Sequence, residues 1–143
     1  MLFRSLLCTN TDGSIAEWQI SSADIIAAKS VGTLGAGWSI SGIDDFNGDG
    51  KADLLLRNTN GSVAEWQMNG STVTSTAIVG SSTADWKITG TGDFNGDGKA
   101  DILWRNDLGS VATWQMDGSK VLAAGATSIP SSETSWQIAA PIL

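Results

Sequence analysis

The chain contains no histidine and no tyrosine, and it has one cysteine and two prolines among its 143 residues. Without histidine, the Ser/His and Cys/His arrangements of hydrolytic enzymes and the usual zinc ligand sets are excluded. The lone Cys8 cannot form an intrachain disulfide, so the cysteine content does not decide the redox compartment.

Positive charge is also scarce, with eight Lys and Arg against fifteen Asp and Glu and a formal net charge of −7. The few basic residues are scattered and form no stripe, which argues against nucleic acid as a partner. No apolar run approaches the roughly 20 residues of a membrane-spanning helix, so no membrane insertion is expected. The apolar start, residues 1–8, is too short for a signal peptide and aligns with a repeated strand, which predicts that it belongs to the fold.

What the chain has in abundance is repetition, because a segment of 48 residues recurs along its whole length. Seven tryptophans are present. Six of them form two repeating series at spacings of 48 to 50 residues: Trp18, Trp66 and Trp114, and Trp38, Trp86 and Trp136.

Each full repeat has four segments with the alternation or β-branched content of strands, and none has a helical period. Tight turns separate them, and the Asn-Gly pairs at 60–61 and 69–70 are typical of hairpins. The sequence therefore predicts an all-β fold of antiparallel strands. In the first full repeat the predicted strands are 37–42, 52–58, 62–68 and 72–79.

The repeats divide the chain, taken as a single domain 1–143, into a partial unit 1–36, full units 37–84 and 85–134, and a last strand 135–143. Residues 1–5 stand where 49–53 stand in the next unit, so the opening unit lacks the loop that precedes them. The last strand, around Trp136, has no successor. The remaining unit is therefore divided between the two ends of the chain.

The segments 45–53 and 93–101 are acidic loops with the pattern D-x-N-x-D-G-x-x-D. Side-chain oxygens at positions 1, 3, 5 and 9 and the carbonyl at position 7 form an oxygen set that suits Ca²⁺. Neither loop has the Glu at position 12 of an EF-hand. The alternative is an Asn/Asp/Gly-rich turn that needs no metal. The candidate ligands are Asp45, Asn47, Asp49, Lys51 and Asp53, and Asp93, Asn95, Asp97, Lys99 and Asp101.

The run Asp-Phe-Asn-Gly-Asp-Gly-Lys-Ala-Asp, followed by Ile-Leu-Trp-Arg-Asn and Gly-Ser-Val-Ala-Thr-Trp-Gln-Met, resembles the FG-GAP/VCBS-type repeats of bacterial secreted and surface proteins. The resemblance covers essentially the whole chain. It implies β-propeller blades of four antiparallel strands, with Ca²⁺ bound by the ten loop residues named above. It also implies a secreted or cell-surface location. The opening repeat departs from the pattern, so no third site is expected within the chain.

Three blades cannot close a ring, because propellers have roughly 4–8 blades. Open blades would expose apolar faces and strand edges. We therefore expect a homo-oligomer, most simply a dimer that makes a six-bladed ring, in which the strand around Trp136 completes the partner's first blade. The alternatives are a β-trefoil, which has three four-stranded repeats and closes as a monomer, and a piece of a longer propeller.

Some aromatic and basic residues are candidates for ligand binding, since aromatic rings stack on sugars and guanidinium groups bind polar ligands. The alternative for the tryptophans is packing in the core. The alternative for the arginines is an ion pair or a carbonyl contact, and one hypothesis is that they support the metal loop. The candidates are Trp18, Trp66, Trp114, Arg57 and Arg105.

The predicted function is a non-enzymatic, calcium-stabilised binding module with a glycan ligand, similar to a lectin. The alternatives are a protein-interaction or adhesion scaffold and an accessory domain of a secreted enzyme. No catalytic residues are predicted. Glu17 and Glu65 lie in separate repeats and make a poor acid/base pair for glycoside hydrolysis.

Overall fold

The computed structural model describes residues 4–127 and residue 139. This part of the chain has eleven strands and no helix, and so no helix that could cross a membrane. The strands are β1 (Arg4–Thr9), β2 (Ser14–Ser21), β3 (Asp24–Thr33), β4 (Trp38–Asp44), β5 (Asp53–Asn58), β6 (Ser62–Asn69), β7 (Thr72–Ser81), β8 (Trp86–Gly92), β9 (Asp101–Asn106), β10 (Val111–Asp117) and β11 (Lys120–Thr127).

The strands form three antiparallel sheets, each a meander in which consecutive strands pair. The first sheet contains β1 to β3, the second β4 to β7 and the third β8 to β11. The all-β prediction and the four-stranded repeat are confirmed for the second and third sheets. Between residues 4 and 127 strands pair only within their own sheet, a pattern that differs from the single barrel of the β-trefoil alternative.

Sequence and structure agree closely on where these sheets turn. Gly61 and Gly70 follow their asparagines at the predicted hairpins with φ of 97° and 61°, the left-handed region that glycine enters without strain. The register repeats as well, since Leu54 lies opposite Trp66 in the second sheet and Ile102 lies opposite Trp114 in the third. The repeat therefore fixes both the turns and the side chains that lie side by side on each face.

Two apolar clusters lie between successive sheets, and we call these places the first junction (first and second sheets) and the second junction (second and third sheets). β5 contributes to both, with Leu54 and Leu56 in the first junction and Leu55 in the second. Alternate residues of a strand point to opposite faces. This apolar strand is therefore buried on both faces.

Several predictions fall on residues that the structure does not describe. The last strand predicted at 135–143, apart from residue 139, and the first three residues lie outside the described part of the chain. The proposed unit boundaries, the exchanged strand and the closed ring therefore stay predictions.

Candidate functional site

The two acidic loops have the same internal hydrogen bonds. The amides of Gly48 and Asp49 donate to Asp45 Oδ1 at 2.7 and 3.1 Å. The amide of Gly50 donates to Asp45 Oδ2 at 2.7 Å. In the second loop the corresponding amides donate to Asp93 at 2.7, 3.1 and 2.8 Å. These bonds lower the pKa of Asp93, and the glycine amide that reaches Oδ2 contributes most.

The last carboxylate of each loop lies inside the fold, at the start of a strand. Asp53 is fully buried, and it accepts bonds from the amides of Phe46 at 3.2 Å and Met68 at 2.9 Å. Burial raises the pKa of Asp53, the two amides oppose that rise, and the charges of Asp49 and Asp45 add to it. The carboxylates of one loop therefore repel one another.

The loop chemistry fits a hard cation, although the side chains are not gathered into a finished ligand cage. Within residues 4–127 no three acidic, histidine or cysteine side chains form a group that could hold a metal ion. The Asn47 amide instead contacts Asp49 Oδ2 at 3.4 Å. A carboxylate has about four lone-pair sites, so the bonds to backbone amides leave acceptor capacity on each Asp. The ten candidate ligands supply the oxygen donors that Ca²⁺ prefers. The loops would have to rearrange locally for these oxygens to surround an ion.

The first acidic loop also reaches across the second junction. The amide of Ala100 donates to the carbonyl of Asp45, and the amide of Gly118 donates to the carbonyl of Phe46, both at 2.8 Å. The Phe46 ring is fully buried in the cluster that the second and third sheets share. Backbone bonds and one aromatic ring thus fix the loop to the following sheet.

The first junction has an open cleft of about 350 Å³ in the corresponding place. Ala52 and Gly70, which are equivalent to the buried Ala100 and Gly118, are exposed and border this cleft. Glu17 and Lys51 line it as well. We call this space the first-junction cleft.

Arg57 lies at the end of β5 far from the acidic loop. Its Nη2 donates to the carbonyls of Ser82 and Thr83 at 3.1 and 3.2 Å, and its guanidinium carbon lies 4.9 Å from the centre of the Trp104 ring. The predicted carbonyl contact is confirmed. This side chain reaches the connection between the second and third sheets, and the hypothesis that the arginines support the metal loop stays a prediction. Arg105 is half-buried at the corresponding place on β9.

Two of the candidate tryptophans, Trp66 and Trp114, each pack across a junction against a glycine of the preceding sheet. A Cβ at Gly32 would lie 3.3 Å from the Trp66 ring, and a Cβ at Gly80 would lie 3.1 Å from the Trp114 ring. Both rings are half-buried against the junction clusters, as the packing alternative predicted. Trp18, the third member of the series, is exposed on the outer face of the first sheet.

A second cleft, of about 220 Å³, opens at the second junction and is rich in tryptophan. The ring centres of Trp104 and Trp114 are 4.8 Å apart, and Trp86 lies at the same cleft with a partly exposed ring. Small residues of β10 and β11 complete the walls. We call this the tryptophan cleft, lined among others by Trp86, Trp104, Ala112, Trp114, Ala124 and Ala126.

The comparison with protein families bears on this part of the chain. Residues 45–104 match the FG-GAP-like repeat. The matched segment contains both acidic loops, and it supports the FG-GAP resemblance there. No curated protein and no solved structure is significantly similar to the chain. An FG-GAP-like repeat in an all-β chain indicates a propeller-like module for interaction or adhesion.

The structure gives roles to three residues of the FG-GAP-like repeat that were not among the predicted site residues. Phe46 closes the second junction, Trp86 lines the tryptophan cleft, and Glu65 is 1% exposed on β6. Burial raises the pKa of Glu65 to about 7, and the charge of Asp53 adds to the rise. The period-2 alternation on β6 was a signal for Glu65, since it places this residue on the same face as the buried Val63.

Proposed function

We propose that the protein is a calcium-stabilised, propeller-like module that binds carbohydrate outside the cell and catalyses no reaction. The observation that carries the ligand-binding part is the tryptophan cleft, an open site beside a fixed sheet junction. The cation part is supported by the acidic loop that extends from the second sheet to that junction.

Calcium binding is supported by the mutual repulsion of the loop carboxylates. Burial and then the charges of Asp49 and Asp45 raise the pKa of Asp53, and a divalent cation among these carboxylates would lower that pKa. All donors in the loop are oxygens, which Ca²⁺ prefers. Bound Ca²⁺ would therefore stabilise the turn and, through Phe46, the second junction.

Thermal unfolding with Ca²⁺ and with excess chelator tests the cation. A site that binds only the folded chain adds about 2.7 kcal/mol to the free energy of unfolding at a Ca²⁺ concentration 100 times its dissociation constant. We expect a higher midpoint in Ca²⁺ and a much smaller shift in the double variant Asp49→Ala/Asp97→Ala.

The matched control is Asp24→Ala, which removes an exposed carboxylate outside both loops and should leave the response to Ca²⁺ unchanged. An unfolding midpoint that is the same in millimolar Ca²⁺ and in chelator would overturn the cation part. It would leave the carbohydrate part untouched.

Carbohydrate binding is supported by the shape and chemistry of the tryptophan cleft. Trp86 and Trp114 present partly exposed rings there, and aromatic faces provide large, rigid contact areas with little loss of side-chain entropy. The cleft is concave and mainly apolar, as small-molecule sites are. Ala124 and Ala126 leave space for a ligand beside the rings.

A glycan array with competition by free sugar tests this site. The variant Ala126→Phe should fill the cleft and abolish binding without removing a packed tryptophan. The control Ala123→Phe changes another exposed residue of β11 that lies outside the cleft lining, so it should bind normally. Binding that Ala126→Phe leaves intact would overturn the site assignment, and hydrolysis of a bound glycan would overturn the non-enzymatic assignment.

A protein partner is the second candidate, and the FG-GAP-like repeat favours it because such a repeat indicates an interaction or adhesion module. An array without sugar-competable binding, together with saturable binding to a surface protein that Ala126→Phe does not affect, would favour this candidate. Secretion or surface display belongs to the proposal in either case.

A further inference from the structure

One face of the first sheet is covered by no other described part of the chain. Leu7 and Ile15 pack into the first junction, so their neighbours along the strands point to the opposite side. On that opposite side Leu6 is 50% exposed and also borders the first-junction cleft, and Trp18 is 37% exposed. We call this the leading face of the first sheet, formed by Leu6, Cys8, Ala16, Trp18 and Ile20.

The internal repeats show what covers a leading face. The equivalent face of the second sheet packs on the first sheet, where Leu54 is 2% exposed and Trp66 lies over Gly32. The equivalent face of the third sheet packs on the second in the same way. The register also repeats, because Leu6 lies opposite Trp18 as Leu54 lies opposite Trp66. In the second and third sheets, therefore, the leading face is covered by the sheet that precedes it in the chain.

The third sheet has the complementary face, which we call its trailing face, formed by Phe94, Leu103 and Val111. Val111 is half-buried, whereas its equivalents Ile15 and Val63 are fully buried inside the first and second junctions. Phe94 is half-buried too, although its equivalent Phe46 is fully buried. The trailing face therefore lacks the covering sheet that these positions have inside the chain.

We propose that the leading face of one copy docks against the trailing face of a second copy, in the geometry of the internal junctions. Two copies related by a two-fold axis form two such contacts and make a ring of six sheets, within the range of propellers. The contact hides the exposed apolar side chains of the leading face and covers the half-buried Phe94 and Val111 of the trailing face, and burial of apolar surface drives association.

A turn residue of the first sheet supports this arrangement. Ser22 has a φ of 59°, and its equivalents are glycines, Gly70 and Gly118, with φ of 61° and 59°. At the second junction the Gly118 amide donates to the carbonyl of Phe46. By the same geometry the Ser22 amide donates to the carbonyl of Phe94 in the second copy. Among residues 4–127 Ser22 is the only non-glycine residue with a positive φ, so this turn keeps the left-handed conformation without a glycine.

The oligomeric state of the full chain, measured by sedimentation velocity over a range of concentrations, tests the proposal. We expect the mass of two copies. The variant Leu6→Glu, which changes an exposed residue of the leading face, should weaken association at least tenfold. Leu108→Glu is the control, because Leu108 is an exposed apolar residue in the β9–β10 turn outside both faces, and it should associate as the parent chain does.

A mixing experiment identifies which faces meet. Val111→Glu should weaken association from the trailing side, and Val111 is not part of an acidic loop, so the result is independent of Ca²⁺. A mixture of Leu6→Glu and Val111→Glu copies retains one intact junction and should pair more tightly than either variant alone. A monomeric parent chain, an unaffected Leu6→Glu pair, growth beyond two copies, or a mixture without improved pairing would each overturn the proposal.

Discussion

The two sheet junctions are built from the same repeat, yet only the second is closed at the acidic loop. At the second junction the backbone of Asp45 and Phe46 lies on the third sheet and the Phe46 ring is fully buried. At the first junction Ala52 and Gly70, the equivalents of the Ala100 and Gly118 that bind this backbone, border a cleft of about 350 Å³. The comparison shows that the loop forms its own turn and also seals the junction that follows it.

The largest expected effect comes from emptying the second junction. Phe46→Ala removes a fully buried ring and should lower the free energy of unfolding by about 3–5 kcal/mol, the usual cost of a Phe→Ala cavity. Urea denaturation measures this change. The second junction would then resemble the first, with a cleft beneath the loop.

The control for this change is Phe94→Ala, measured at a concentration where the chain is monomeric. Phe94 has the same position in its loop and is only half-buried, so its removal should cost clearly less. Equal losses for the two variants would show that the ring acts within its own loop and does not seal the junction.

An intermediate effect comes from Glu65, whose equivalent at the first junction is the more exposed Glu17. The folded chain raises the pKa of Glu65 from 4.5 to about 7, so between those pH values it keeps a proton that the unfolded chain releases. The free energy of unfolding should therefore fall as the pH rises from about 4.5 to 7. Glu65→Gln should remove about 1–3 kcal/mol of that fall.

Urea denaturation at several pH values compares Glu65→Gln with Glu17→Gln. The first variant should be more stable than the parent chain above pH 7 and equal to it below pH 4.5. Glu17→Gln should follow the parent profile, because its side chain lies at the open cleft. Identical profiles for both variants would mean that the filled junction does not desolvate Glu65.

The smallest expected effect concerns an ion pair found at the second junction. Lys99 Nζ lies 2.7 Å from Asp117 Oδ1, and this pairing lowers the pKa of Asp117 and raises that of Lys99. The corresponding residues of the second sheet are Lys51 and Asn69. Asn69 is uncharged, so these two residues cannot form an ion pair. Lys99→Gln should therefore reduce the unfolding midpoint slightly in low salt, whereas Lys51→Gln should not.

Added salt provides the check on this last prediction. Exposed ion pairs contribute little and are screened by salt, so the difference between Lys99→Gln and the parent chain should vanish in 1 M NaCl. A difference that persists in high salt would mean that the lysine stem, packed beside Gly48, matters more than its charge.

Much of the fold could be predicted because its signals are local. The alternation of residues, the Asn-Gly turns and the spacing of the tryptophans located the strands of the second and third sheets within a few residues. The acidic loops were also predictable, since oxygen donors at alternate positions are visible in the sequence itself. Whether those donors gather around a cation depends on the backbone amides, which already bind Asp45 and Asp53.

The sequence by itself determined the repeat, the strands, the turns and the chemistry of the loops, because each of these depends on residues close together in the chain. Only the tertiary structure decided which copies of one pattern are buried. Glu65 and Glu17, Trp66 and Trp18 occupy equivalent positions and differ in exposure. Burial depends on whether a neighbouring sheet covers a position, and that neighbour is about 48 residues away in the repeat.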